Sequence, residues 1–349
     1  MLRDREIPMR LTLNPIHATL APAQPRRFLC LFSALLFTFT AVLAHAQEYT
    51  SIVVFGDSLS DTGNVAALTE KQGARIPGPG PRGGNYADGR FTDGDDTIPA
   101  AQKYFGLWVE QYAALLPAKP IITNSLDGGT DYAYGSATTG SGTTPVTFGP
   151  ISVNVNNMGQ QITDYLATSP VISERTLFVV WGGSNDLLNA TSVDDIFQAA
   201  INQANNIQRL INAGATQFII PNLPPLGLVP ALNGNPKTSI PATAASALFN
   251  QLLSTGLDIL QDLNRRKHLH LARLDVFGLF YKIVASPAKY GLVNITDASQ
   301  GIDTVDPDRY LFWDDLHPTT KGHNILALTA AGILTGVSAE SVPAGGGDH

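Results

Sequence analysis

Short apolar runs rich in β-branched residues alternate with longer amphipathic stretches along most of the chain. Runs of this length and composition are typical of buried strands, and their alternation with amphipathic stretches indicates a parallel sheet wrapped by helices. The pattern predicts strands over residues 51–56, 121–124, 176–182, 216–221 and 269–275.

Helical periodicity is clearest in three stretches. In residues 193–212, apolar side chains such as Ile196, Ala200, Ile207 and Ile211 recur at spacings of three and four, which places them on one face of a helix. We therefore expect that face to pack in the core. The same reasoning predicts helices over residues 193–212, 242–266 and 319–334.

Three other stretches fit neither pattern. Residues 74–100 are rich in Gly, Pro and Asp, residues 140–157 in Gly, Thr and Asn, and residues 222–241 in Pro and Asn. Loops of this length inside a compact domain usually carry function or move. We interpret them as walls of a substrate cleft, with surface decoration as the alternative.

The N-terminal segment has the pattern of a secretory signal. Arg26 and Arg27 precede an apolar run over residues 28–43, and Ala44-His45-Ala46 supplies the small residues of a cleavage site. The run is shorter than the roughly 18–20 apolar residues that a membrane helix needs. We predict a signal peptide over residues 1–46 and a secreted chain, periplasmic or extracellular, without a membrane span; an uncleaved N-terminal anchor is the alternative.

Charge and cysteine content narrow the class of protein. The formal net charge is −7, and removal of the arginine-bearing segment 1–46 makes it more negative, which argues against nucleic acid as a partner. The single cysteine, Cys30, lies in that segment, so the mature chain has no thiol for a disulfide. We predict one globular domain over residues 47–336, a disordered tail over residues 337–349, and a monomer.

The first candidate for chemistry is Ser58, in the sequence FGDSLSDTGN that directly follows the first predicted strand. A serine at a strand-to-helix turn lies at the carboxyl edge of the sheet, where open α/β sheets bind their ligands. The positive end of the following helix would stabilise a developing anion there. The alternative role for Ser58 is a helix cap.

Two further segments follow predicted strands. WGGSND ends the third strand and brings Asn185, whose amide can donate to an oxyanion or cap a helix. DYAYGSATTG follows the second, and its small residues would let a backbone N–H near Gly135 approach a reacting carbonyl.

The last segment, FWDDLHP, precedes the final predicted helix. Asp314 and His317 are three residues apart, so on a turn the carboxylate can orient the imidazole and stabilise its charged form. Asp315 competes for this role, although we favour Asp314. Alone, each segment has a structural explanation, but together they supply a nucleophile, oxyanion donors and an acid–base pair.

These segments, in this order, resemble the GDSL family of lipases and acylhydrolases, also called SGNH hydrolases. FGDSLSDTGN is similar to the nucleophile block, DYAYGSATTG to the glycine block, GGSND to the asparagine block and WDDLHP to the Asp-x-x-His block. The resemblance extends from residue 51 to about residue 334. It implies an α/β fold, a flavodoxin-like three-layer sandwich with a central parallel sheet.

The resemblance also implies a site. Ser58, Asp314 and His317 would be catalytic, and Ser58, Gly135 and Asn185 would form the oxyanion hole, without a metal or organic cofactor. Ser136 stands where many relatives carry a second glycine, so the backbone donor is the N–H of Gly135 or of Ser136.

We therefore expect a secreted serine hydrolase that cleaves small-molecule or lipid carboxylic esters through an acyl-enzyme on Ser58. One alternative is an acyltransferase that passes a lipid acyl group to an alcohol. The other is a non-catalytic binding protein on the same scaffold.

Overall fold

The computed structural model describes residues 49–78, 86–94, 105–302 and 304–335. The predicted signal segment and C-terminal tail lie outside the described residues, as does part of the stretch 74–100.

Strands and helices alternate along the described chain. In chain order the strands are β1 Ser51–Gly56, β2 Thr143–Phe148, β3 Ile151–Asn156, β4 Thr176–Trp181, β5 Gln217–Pro221, β6 His270–Leu274, β7 Asn294–Ala298 and β8 Tyr310–Phe312. The α-helices are α1 Asn64–Glu70, α2 Trp108–Leu115, α3 Met158–Ala167, α4 Ser184–Leu188, α5 Val193–Asn212, α6 Pro230–Asn233, α7 Pro236–Leu263, α8 Val276–Ala285 and α9 Thr320–Thr335. Short 3₁₀ helices cover Ser125–Asp127, Leu226–Leu228, Pro287–Tyr290 and Pro307–Arg309.

A four-stranded parallel sheet forms the centre, in the order β1-β4-β5-β6. Strands β4 and β5 are buried along their whole length, as are five of the six residues of β1. Continuous apolar runs of this kind are typical of parallel strands that are covered on both faces. Helices flank the sheet, so the predicted α/β fold is confirmed, as are the predicted strands β1, β4, β5 and β6 to within a residue or two.

The predicted strand over residues 121–124 is wrong. Asn124 makes only an isolated bridge to Asp131, and Asp131 makes another to Val54 of β1. The apolar run is short, and Ile121 is 86% exposed, so the segment lacks the burial that a central strand needs.

Two stretches expected to be loops are ordered elements instead. Residues 140–157 contain the antiparallel hairpin β2–β3, in which alternate residues of β3, among them Val153 and Val155, are buried. Residues 222–241 contain a 3₁₀ helix, α6 and the start of α7. Their Gly, Pro and Asn content conceals period-two alternation in the first stretch and short helical turns in the second.

Helix α5 has the predicted bounds, and α9 is displaced by one residue. Helix α7 begins six residues earlier than predicted, because Asn235 caps it and Pro236 occupies the first position, where its missing N–H costs nothing. Pro241 lies inside the helix and masks this start in the sequence. Within the described ranges, none of the helices has the length and apolar character to cross a membrane.

Candidate active site

The predicted site residues gather at the carboxyl edge of the sheet. Ser58 lies two residues beyond β1, and Asn185 lies in the first turn of α4, just beyond the neighbouring strand β4. His317 belongs to the loop between β8 and α9. Ser58, Asn185 and His317 line one cavity, so the structure brings together three segments that are far apart in the chain.

The turn that carries Ser58 is held at both ends. The Asp57 carbonyl accepts from the N–H groups of Ser60 and Asp61, which closes the turn. The Gln161 side chain accepts from the N–H of Gly56 at 2.9 Å and donates to its carbonyl at 2.8 Å. A Cβ on Gly56 would lie 2.5 Å from the Trp181 carbonyl oxygen, so only glycine lets β1 end this close to β4.

The helix after Ser58 starts later than expected. Helix α1 begins at Asn64, six residues beyond Ser58, so the expected benefit from a helix N-terminus directly after the serine is wrong. A buried carboxylate, Asp61, fills the gap. It accepts four backbone hydrogen bonds, from the N–H groups of Gly63, Asn64, Val65 and Gly135.

The hydrogen bond from Gly135 to Asp61 corrects the expected oxyanion hole. The Gly135 N–H donates to Asp61 Oδ2 at 2.8 Å, which removes it as a donor to a substrate. The next residue, Ser136, lines the cavity with a φ of 66°. Its N–H has no protein partner in the part of the chain that the structure describes. Of the two candidates left open by the sequence, the geometry favours Ser136.

A continuous line of hydrogen bonds joins the nucleophile candidate to a carboxylate. His317 Nε2 lies 2.8 Å from Ser58 Oγ, and His317 Nδ1 lies 2.7 Å from Asp314 Oδ2. The backbone N–H groups of Leu316 and His317 donate to Asp314 Oδ1 at 2.8 and 2.7 Å. Both oxygens of the Asp314 carboxylate are therefore held, one by the backbone of its own loop and the other by the imidazole.

The charges of this pair are set by their contact. Burial on its own raises the pKa of Asp314, but the charge and hydrogen bonds of His317 outweigh it and lower the pKa to about 2. Burial lowers the pKa of His317, but the Asp314 carboxylate outweighs it, with a smaller contribution from Asp57, so the pKa rises above 6.5. Because ionised Asp314 only accepts hydrogen bonds, Nδ1 of His317 carries the proton and Nε2 turns its lone pair to Ser58.

Asp315, the competitor for the carboxylate role, is exposed to solvent. Its backbone carbonyl accepts from the Ala231 N–H, which ties the loop to α6. The geometry therefore selects Asp314 of the two.

Tyr86 is a residue that the sequence did not indicate. Its hydroxyl donates to Asp314 Oδ2 at 2.9 Å, the same oxygen that contacts His317, and its ring packs edge-on against Trp313 with centroids 6.1 Å apart. Burial and the neighbouring Asp314 charge raise the pKa of Tyr86, so it remains a donor. It lies in the stretch 74–100, where an aromatic side chain among Gly, Pro and Asp was the only signal.

The Asn185 side chain makes one hydrogen bond within the protein and keeps a second donor for a ligand. Its Nδ2 donates one hydrogen to the Ala137 carbonyl at 2.9 Å, which leaves the second amide hydrogen for a ligand. Its neighbour Asp186 accepts from the N–H and hydroxyl of Thr139 and so joins the asparagine block to the glycine block.

The cavity has a volume of about 200 Å³. Ser58, Ser136, Asn185 and His317 contribute polar groups to it, and most of the remaining lining is apolar. Each of the three stretches expected to wall a cleft contributes to it, through Phe91, Phe148 and Leu226. The three stretches therefore do line one cavity, two of them with regular structure, and that this cavity holds the substrate stays a prediction.

Comparisons with known proteins show which family the chain belongs to. The sequence model of the GDSL-like lipase/acylhydrolase family matches residues 52–329. The chain is 25% identical to a phosphatidylcholine-sterol acyltransferase of Aeromonas hydrophila, over 88% of this chain and 96% of that protein. It is 23% identical to Lipase 1 of Photorhabdus luminescens, over 84% of this chain, but it spans about half of that protein, 51%.

Among solved structures, an acetylxylan esterase from Geobacillus stearothermophilus, determined as a catalytic mutant, aligns with 83% of this chain and 95% of its own. The TM-score is 0.42 and the identity 12%. The family match covers most of the chain, including all four motif blocks. The chain therefore belongs to the GDSL-like lipase/acylhydrolase family of ester hydrolases.

Proposed function

We propose that the chain is a secreted serine hydrolase that cleaves carboxylic esters, with Ser58 as nucleophile and His317 as base. The observation that carries this proposal is the unbroken Asp314–His317–Ser58 line, with heavy-atom distances of 2.7 and 2.8 Å. A binding protein on the same scaffold has no need of this alignment. The apolar run and small-residue site before residue 47 support the secretion part of the proposal.

In the acylation step, His317 Nε2 takes the Ser58 proton while Ser58 Oγ attacks the ester carbonyl carbon. The Ser58 and Ser136 N–H groups and the free Asn185 amide hydrogen donate to the resulting oxyanion. The C–O bond to the alcohol then breaks, and the alkoxide leaves with the proton from His317.

In the second step, water enters and gives a proton to His317 as its oxygen attacks the acyl-enzyme. Collapse of this second oxyanion breaks the bond to Ser58 Oγ, which recovers its proton from His317. Asp314 remains ionised throughout, because its role is to orient the imidazole and to balance its charge.

The similarity to an acyltransferase over nearly its whole length supports a second candidate. An alcohol would replace water in the second step, and the apolar cavity would favour it. Incubating the purified protein with a p-nitrophenyl ester in mixtures of water and a primary alcohol, and quantifying free acid against new ester, separates the two. Free acid as the main product supports hydrolysis, whereas new ester far above the alcohol's molar share supports transfer.

Hydrolysis of p-nitrophenyl butyrate by wild type, Ser58→Ala and Ser184→Ala tests the proposal itself. Ser184 lines the same cavity and is the matched control. We expect Ser58→Ala to reduce turnover to background and Ser184→Ala to retain most of it. Equal activity of wild type and Ser58→Ala would rule out the proposal.

A further inference from the structure

The cavity runs from solvent to a closed floor. At its mouth Leu188 and Leu316 are each 38% exposed. At the other extreme its lining includes Val276, Phe280 and Phe312, which are at most 5% exposed. This gradient indicates a pocket that enters beside Ser58 and ends against α8 and β8.

Helix α8 builds the floor. Val276 and Phe280 are four residues apart, so they lie one above the other on the same helix face. The Phe280 ring also packs against the Phe312 ring of β8, with centroids 6.1 Å apart, which closes the pocket from a second side. A chain that reaches α8 or β8 is therefore stopped by these side chains.

The side chains that line the floor favour a hydrocarbon ligand over a polar one. Among the described residues that line the cavity, the ionisable ones are Asp57 and His317, and both belong to the catalytic end. Away from that end the lining consists of Leu226, Val229, Val276, Phe280, Phe312 and Leu326. Trp181 and Ser184 also line the cavity and carry a buried N–H and hydroxyl without a partner in the described ranges, but they belong to the end of β4 and the start of α4, next to Asn185. The apolar part of the lining has no donor or acceptor for a sugar or a charged headgroup, because its side chains carry only carbon and hydrogen.

The cavity volume limits the length of the hydrocarbon chain that the pocket can hold. An engineered apolar cavity of about 150 Å³ takes up benzene, with its six carbons. A cavity of about 200 Å³ therefore holds roughly eight carbons by the same scale. We propose that this pocket takes the acyl chain of the substrate end-on and that Val276 and Phe280 limit it to medium length, roughly eight carbons. This inference rests on the proposed function, since the chain enters attached to the carbonyl that Ser58 attacks.

The test is kcat/KM of the full-length purified protein on p-nitrophenyl esters from acetate to palmitate, below their micelle concentrations. We expect kcat/KM to rise by about fourfold for each methylene that the pocket buries, to peak near the octanoate and to fall beyond it. A second series of acetate esters with alcohols of increasing length should show no such peak. A peak in the alcohol series instead would overturn the assignment of the pocket to the acyl chain.

Two substitutions on α8 make the test residue-specific. Phe280→Leu deepens the floor and should raise the laurate-to-octanoate ratio of kcat/KM by about fifteenfold, equivalent to roughly two methylenes at fourfold each. Phe277→Leu is the matched control, because Phe277 lies on the same helix but packs against Tyr281 outside the cavity lining. Its ratio should equal that of wild type. Because each ratio compares two esters on one preparation, partial loss of folded protein cancels, and Phe280→Met is a milder second variant.

The outcomes distinguish a failure of the chain-length limit from a failure of the proposed function. A wild-type profile that stays flat to palmitate, or equal ratios in Phe280→Leu and Phe277→Leu, would overturn the chain-length limit. If ester cleavage still disappears in Ser58→Ala, the proposed function survives that failure. Ester cleavage that persists in Ser58→Ala would instead remove the proposed function on which the inference rests.

Discussion

Asp61 and Asp314 lie in the segments around Ser58 and have different roles; Asp61 is fully buried, and the Asp314 side chain is 14% exposed. Asp61, on the side of the glycine block, accepts only backbone N–H groups, four of them. Asp314, on the side of the last loop, accepts from His317 Nδ1 and the Tyr86 hydroxyl as well as from two backbone N–H groups. The first therefore holds the chain, and the second is coupled to a group that can change its charge.

Their pKa values differ for the same reason. Burial raises the pKa of Asp61 to about 6, because its backbone donors only partly offset the loss of solvent. For Asp314 burial acts in the same direction, but the charge and hydrogen bonds of His317 outweigh it and lower the pKa to about 2. A buried aspartate beside a nucleophile is thus no evidence of chemistry until its donors are known.

The largest effects on kcat are expected from substitutions of Asp314 and its partner His317. His317→Ala removes the base and should lower kcat by about 10⁶, whereas Asp314→Ala removes only the orienting carboxylate and should lower it by about 10⁴. Steady-state kinetics on p-nitrophenyl butyrate measures both. Asp315→Ala is the matched control and should retain near-normal turnover. A larger loss in Asp315→Ala than in Asp314→Ala would show that the pair has been misidentified.

Asn185→Ala should have the next largest effect. If the free amide hydrogen meets the oxyanion, its contribution appears in the transition state, so kcat should fall by about 10²–10³ with little change in KM. Asn189→Ala, at the end of the same short helix, is the control. A helix-capping role predicts instead a loss of roughly 0.5–2 kcal/mol in unfolding free energy with normal turnover, which thermal melts would detect.

Tyr86→Phe should change the pH profile more than the rate. His317 must be neutral to act as base, so kcat/KM falls as pH decreases through its pKa, which lies above 6.5. The charged or titratable groups that act on His317 are Asp314, Asp57 and His323. Without the Tyr86 hydroxyl the Asp314 charge is less compensated, the His317 pKa rises, and the acid limb moves to higher pH.

The accompanying loss in kcat should be about tenfold, the lower end of the roughly 1.5–3 kcal/mol for one hydrogen bond to a charged group, because Asp314 keeps its three other donors. Tyr281→Phe, on the exposed side of α8, should leave both the limb and the rate unchanged. An unshifted limb in Tyr86→Phe, together with lower thermal stability, would reduce Tyr86 to a packing role.

Asp61→Asn should have the smallest effect on catalysis and act on stability. The amide replaces one acceptor oxygen by a donor, so at least one buried N–H loses its partner, which costs about 1–3 kcal/mol of unfolding free energy. Chemical denaturation measures this loss. An Asp61→Asn protein as stable as wild type but as inactive as Asp314→Ala would reverse the roles assigned to the two aspartates.

Much of this arrangement was predictable from the sequence. Ser58 and Asn185 follow strands whose apolar runs are unmistakable, and Asp314 and His317 come directly before the last predicted helix. The predictions that were wrong concern contacts between segments that are distant in the sequence. The Gly135 N–H looked available until Asp61, 74 residues earlier, was seen to accept it.

A contact over a longer separation had only a weak local signal. Tyr86 reaches Asp314 across 228 residues, and its own stretch marks it only as an aromatic side chain among Gly, Pro and Asp. The predicted strand over residues 121–124 failed for a related reason, because its two isoleucines indicate hydrophobicity but not that Ile121 faces solvent.

The most direct test of the account is covalent labelling of Ser58. A fluorophosphonate should react with the wild-type protein, and mass spectrometry should locate the adduct on the peptide that contains Ser58, because His317 at 2.8 Å activates that hydroxyl. The adduct should be absent from Ser58→Ala and should form much more slowly in His317→Ala. An adduct on another serine in Ser58→Ala, or labelling of Ser58 at the same rate without His317, would contradict the account.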